Sequence, residues 1–201
     1  MHDLVRGVVK ELAASDSSAS SMADMEALLE LRWSEGPLAT EEYRLHREVA
    51  TLLLRRFVTI RAGAARADTG PLVATIGGDE VTAIADDVVT AGGRHVARVI
   101  RTGHKSSSTG KALADAAFQM AAAASLPGCV VEIIHLGDDE PTIALAFDGK
   151  ALGRNLGKLT ETLESIASGR FEPERSDRTC PFCPAFFTCG PLADGNLQKN
   201  L

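Results

Sequence analysis

The chain has 201 residues, 45% apolar and 24% charged, a mix that excludes a disordered or collagen-like polymer. Its 21 Lys and Arg stand against 27 Asp and Glu, a net charge of −6. A wholly basic, histone-like chain is therefore excluded, whereas a local basic patch is not. The length suits one domain, residues 1–201, with a real hydrophobic core. Asp3, Arg6, Lys10 and Glu11 interrupt the first apolar run, so no signal peptide is expected at the start. The longest uncharged stretch, 116–131, contains Gln119, Pro127 and Gly128 and makes a poor membrane span. The expectation is a soluble, cytoplasmic protein with no membrane partner.

In chain order, Leu4, Val5, Val8, Val9 and Leu12 predict a helix over 4–14. The polar run 15–21 reads as a linker. A second helix places Met25, Leu28, Leu29 and Trp33 on one face and stops at Gly36-Pro37. A third starts near Thr40 and runs to about Gly63, with Val49, Leu52, Leu53, Arg56 and Phe57 along it. Residues 1–70 thus form a helical part. Beyond Pro71 the pattern changes to short β-branched runs between glycines. Strands are expected at 72–76, 80–89 and 95–101. The Ala-rich stretch 113–124 is a packed helix. Two more strands follow at 129–136 and 142–147. A last helix over 150–168 turns Leu152, Leu156, Leu159, Leu163 and Ile166 inward. The order predicts an α/β core at 71–168 with a mixed sheet flanked by helices, then a cysteine-rich tail at 169–201.

Three segments carry a resemblance. They are ATIGGDEVTAIADDVV with HVARVIRTGHK after a Gly-Gly turn, AAFQMAAA, and SGRFEPERSDRTCPFCPAFFTC at 168–189. Together they resemble the RecB-type PD-(D/E)xK nuclease domain of AddB-like helicase–nucleases. The likeness covers nearly the whole chain, and its tail is the most specific part. It implies a restriction-endonuclease-like fold and Mg²⁺- or Mn²⁺-dependent DNA cleavage. By position, Asp86 matches the first catalytic Asp, and its neighbour Asp87 points to the opposite side of a strand. Gln119 matches a helix Gln that orients the site or contacts DNA. His2 matches a metal-binding His at the start of a helix, although Arg6 stands where an acidic residue often accompanies it. Each of these residues also has a plainer reading, as a strand-end carboxylate, a helix spacer or an exposed His.

The second catalytic strand departs from the pattern. If Arg101-Thr102-Gly103 stands for Lys-Thr-Gly, then Val99 occupies the second carboxylate position and Arg101 the Lys position. Val cannot ligate a metal. Arg stays protonated and is a poor general base, though it can grip a phosphate with two N–H groups. The expectation is a nuclease fold with impaired catalysis. An alternative is rescue by Lys105, Glu80 or Asp87, giving an active Mg²⁺-dependent exonuclease.

No Asp or Glu occurs from Thr90 to Ala114, while Arg94, Arg98, Arg101, Lys105 and Lys111 do. This window is a candidate phosphate-contact patch. Arg94 and Arg98 fall on one strand face and Arg101 on the other. A solvated strand and loop is the plainer alternative.

Cys180, Cys183 and Cys189 are spaced C-x2-C-x5-C, a grip for one metal or cluster edge. The resemblance implies a [4Fe-4S] cluster whose fourth cysteine lies upstream of the His motif, where this chain has none. Cys129 reads as a buried strand residue. Three accounts stay open: a longer natural protein, a ligand from a partner chain, or a lost cluster that leaves a vestigial loop or a three-Cys zinc site. DNA and a helicase subunit are the implied partners. No G-x-x-x-x-G-K-[ST] phosphate loop is present. The third functional reading is a small metal-binding interaction protein unrelated to DNA.

Overall fold

The computed structural model describes residues 1–15, 21–36, 43–105, 109–144 and 149–170. Two compact units divide the chain, Met1–Thr160 and Glu161–Leu201.

The first unit opens with α1 (His2–Ala14), α2 (Met22–Ser34) and α3 (Arg44–Arg61). In α1, Val5, Val8, Val9, Leu12 and Ala13 form one buried stripe at helical spacing. A capping box starts α2: the Ser21 hydroxyl accepts from the Asp24 N–H, and the Asp24 carboxylate accepts from the Ser21 N–H. Met25, Leu29 and Trp33 are its buried side. In α3 the buried stripe is Ala50, Leu53, Leu54, Phe57 and Val58. Val49 and Leu52, also carried by this helix, are 44% and 50% exposed. The helix carries two overlapping apolar stripes, and periodicity does not choose between them. The one holding Phe57 and both Leu53 and Leu54 buries more apolar surface.

The strands are β1 (Ala65–Arg66), β2 (Leu72–Ile76), β3 (Asp79–Ala83), β4 (Asp87–Ala91), β5 (Arg94–Arg101), β6 (Val130–His135) and β7 (Thr142–Ala144). Helix α4 (Thr109–Ser125) joins β5 to β6, and α5 (Gly149–Ala167) follows β7. Among the described residues the main sheet has the order β1-β4-β5-β6-β7. β5 and β6 are parallel; the other neighbours are antiparallel. A parallel pair needs a crossover, and α4 supplies it.

The expected strand 80–89 is two strands in different sheets. β3 folds back on β2 through Gly77-Gly78, with Ile76 opposite Asp79. Both glycines have positive φ, 62° and 94°, as a two-residue hairpin of primed type requires. The chain then leaves the hairpin through an Ile84 that is 81% exposed and enters the main sheet at Asp87. No glycine or proline interrupts residues 79–91, so the sequence carries no turn signal at the switch.

The main sheet is covered on both faces. On one, Ile100, Ile134 and Leu136 pack with α1, α2 and α3. On the other, Ala97, Val99 and Val131 pack with α4 and the β2–β3 hairpin, and Leu156 and Leu159 of α5 lean on the same cluster. Ala116, Ala121 and Ala122 are fully buried. Residues this small let α4 lie close to the strands.

The second unit is described as far as Arg170. It contains the last turns of α5, where the Ser165 and Ser168 hydroxyls donate to the Glu161 and Glu164 carbonyls. Ile166, expected inside, is 52% exposed. Cys180, Cys183 and Cys189 lie outside the described residues. No described helix is long and apolar enough to cross a membrane.

Candidate functional site

Asp86 sits just before β4, where its N–H donates to the Arg98 carbonyl at 2.9 Å. Its carboxylate accepts the Ile100 N–H at 2.7 Å. The residue therefore extends the β4–β5 ladder with its side chain. It also lines an open groove of about 610 Å³ shared with Lys10, Arg66, Asp68, Ile84 and Val88. Asp87 turns the other way and is 3% exposed. Its carboxylate lies between two buried guanidiniums, with Arg61 Nε and Arg98 Nη1 each at 3.3 Å. Arg98 Nε in turn donates to Glu132 at 2.8 Å. Arg61 also donates to the carbonyls of Leu12 and Ala13, the last turn of α1. The opposite facing of the two aspartates is as expected, and Asp87 belongs to a buried ionic network between α3 and the sheet.

That network corrects one expectation. Arg98, assigned to the phosphate-contact patch, is 5% exposed and engaged by Asp87 and Glu132. A guanidinium held between two carboxylates under a helical layer does not present itself to a phosphate. Arg94, which shares its strand face, is exposed at the start of β5. Lys105 is exposed beyond the end of β5, and Lys111 is half-buried in the first turn of α4.

At the end of β5, Val99 lies in the apolar cluster beneath α4. Arg101, on the same strand face, forms an ion pair with Asp115 of α4. Gln119 is half-buried one turn further along α4 and shares the face that holds Lys111 and Asp115, since these are i, i+4 and i+8. His2 leads α1 to the same strand end, with Nδ1 2.9 Å from the hydroxyl of the buried Thr102. His2 and Asp86, the two residues matched to metal ligands, thus both touch the stretch Ile100–Thr102.

Among the described residues no group of three or more His, Cys, Asp or Glu side chains is placed to hold a metal ion. Among the described residues, the donor set around Asp86 and Val99 is incomplete for a catalytic Mg²⁺ or Mn²⁺. Val99 offers no oxygen, and Asp86 already receives a backbone N–H.

The residues missed from sequence gather at the C-terminal ends of the parallel pair. Arg101 is the register partner of His135, the last residue of β6. His135 is 3% exposed, and its Nδ1 has no hydrogen-bond partner among the described residues. Burial, and then the neighbouring Arg101 and Lys111 charges, push its imidazole below the ordinary value of 6.5. Next to it, His104 Nδ1 and the Lys105 N–H meet the Asp138 carboxylate at 2.8 and 3.0 Å. The His104 contact, and then the Lys105 N–H, hold the Asp138 carboxyl below the usual 3.8. His135 was legible only as the polar end of the apolar run CVVEII. Its placement beside Arg101 depends on strand register, which has no local signal.

The chain matches no protein-family model and no curated protein.

Proposed function

We propose that this chain is a nuclease-fold module of the RecB type that acts in DNA-end processing beside a helicase and binds nucleic-acid phosphate, with catalysis impaired. The observation that carries the reading is the use made of the second catalytic strand. Val99 is spent on apolar packing and Arg101 on an ion pair with Asp115. The order β4, β5, α4 supports it too, with Asp86 leading the first strand and Gln119 on the helix. Phosphate contact falls to Arg94, Lys105 and Lys111, with Arg98 withdrawn into the interior.

The test is cleavage and binding of end-labelled single- and double-stranded DNA with Mg²⁺ and with Mn²⁺, beside Asp86→Ala. The expected result is no cleavage in either metal and binding that weakens steeply as salt rises. Cleavage that disappears in Asp86→Ala establishes the active exonuclease instead. Binding that is absent, or indifferent to salt, favours the metal-binding interaction protein.

A further inference from the structure

We infer that the C-terminal ends of β5 and β6 form a binding site for a protonatable phosphate, either free phosphate or the terminal monoester of a larger molecule, held by Arg101, Lys111 and His135. The inference goes beyond the nuclease-fold reading and stands without it.

The argument begins with a buried polar atom. His135 is 3% exposed, and its Nδ1 meets no partner among the described residues. Burying a ring nitrogen without a hydrogen bond is unfavourable, and such atoms are uncommon outside sites that a ligand or water completes. The His104 backbone also acts on the ring. With the proton of the neutral ring on Nε2, Nδ1 is an acceptor.

The surroundings are cationic. Arg101 is level with His135 on the adjacent strand, and the two side chains share a sheet face. Asp115 engages part of the Arg101 guanidinium, which has five N–H groups in all. Lys111, which has an interaction of its own, lies in the first turn of α4, the positive end of a 17-residue helix, and its charge acts on the His135 ring. The charged groups facing His135 are Arg101 from β5, Lys111 from α4 and Asp138 from the turn after β6. Asp115 reaches the site through Arg101, and Asp138 is itself taken up by His104 and Lys105.

An oxyanion answers Arg101 and Lys111, but Nδ1 asks for a proton. Hydrogen phosphate and phosphate monoesters meet both demands. Either a P–OH donates to Nδ1, or the ring takes up a proton that the anion stabilises. Sulfate and internal phosphodiesters carry no proton near neutral pH and offer only the charge.

The full-length chain is titrated with inorganic phosphate and, separately, with sulfate at equal ionic strength, by calorimetry between pH 5.5 and 8. Phosphate is expected to bind about tenfold more tightly than sulfate, the usual worth of one good hydrogen bond to a charged group. The uptake or release of protons is read from buffers of different ionisation heat. His135→Gln should remove the preference for phosphate, and Lys111→Met should weaken both anions. Equal binding of phosphate and sulfate by the unaltered chain, or no binding of phosphate, overturns the inference without recourse to any variant. A short oligonucleotide with and without a terminal phosphate separates the two sources of ligand. Tighter binding of the phosphorylated strand assigns the site to chain ends, and equal binding assigns it to free phosphate. Phosphate binding without salt-dependent DNA binding would uphold this site while removing the nuclease-fold reading. The reverse result would do the opposite.

Discussion

Replacing Asp87 by Ala tests the interior most directly. The carboxylate is 1% exposed and lies 3.3 Å from both Arg61 and Arg98, themselves 3% and 6% exposed. Removing one member of a buried ion pair costs about 3–5 kcal/mol, because the remaining charge stays buried without compensation. Two features hold the cost to the lower end. Arg61 keeps the Leu12 and Ala13 carbonyls, and Arg98 keeps Glu132. The expected loss is therefore about 3 kcal/mol, or roughly 6–12 °C in Tm for a chain of this size. Asp86→Ala is the matched control. It deletes one acceptor, for the Ile100 N–H, at a half-buried position, and should cost only about 1 kcal/mol. Urea unfolding followed by circular dichroism measures both, with the slope m expected to stay constant. If Asp86→Ala proves the more damaging, or Asp87→Ala costs under about 1 kcal/mol, the ionic network does not hold α3 to the sheet as described.

Gly137→Ala would place a Cβ 2.9 Å from the Gly103 carbonyl carbon and 3.0 Å from the His104 nitrogen. Both are backbone atoms, so the turn must move; a loss of about 1–3 kcal/mol is expected in thermal melts, and as the His104–Asp138 contact loosens the lowered Asp138 carboxyl should rise toward its usual value in NMR titrations. Stability should fall as pH drops below the ordinary imidazole value of 6.5, because the unfolded chain then binds a proton that the lowered His135 ring refuses. His135→Gln should flatten that slope down to the folded value, and an unchanged slope would remove His135 as its source. Ser21→Ala breaks the capping box of α2 and should cost about 1 kcal/mol in urea unfolding.

Most elements could be read from the sequence because their signals are local. The apolar stripe of α1 and the short β-branched runs of β2 and β5 each need no partner to be recognised. What eluded the sequence is what only pairing decides. The two-residue β1 exists through its register with Thr90 and Val89, not through any pattern of its own. The break between β3 and β4 arises because the chain changes sheets without a glycine or proline to mark the place. Arg98 looked like a surface cation because Asp87 and Glu132 come from neighbouring strands, brought level with it by register. At the candidate site, Val99 and Arg101 were legible as an apolar and a cationic residue at the end of a strand. That Asp115 would engage Arg101, and that His135 would lie beside it, was not.

Arg61 has a consequence for how the chain can be divided. One side chain of α3 closes the end of α1 through two carbonyls and grips the first residue of β4. Segments separated by the Ser-rich linker and by Pro71 are thereby stitched into a single cooperative body. The change from helical to β-rich sequence near residue 70 looks like a seam, yet it is no place to cut. A fragment beginning there would expose Asp87, Arg98 and the apolar positions Ile100, Ile134 and Leu136 together. The helical third is the sheet's missing wall, not a detachable domain.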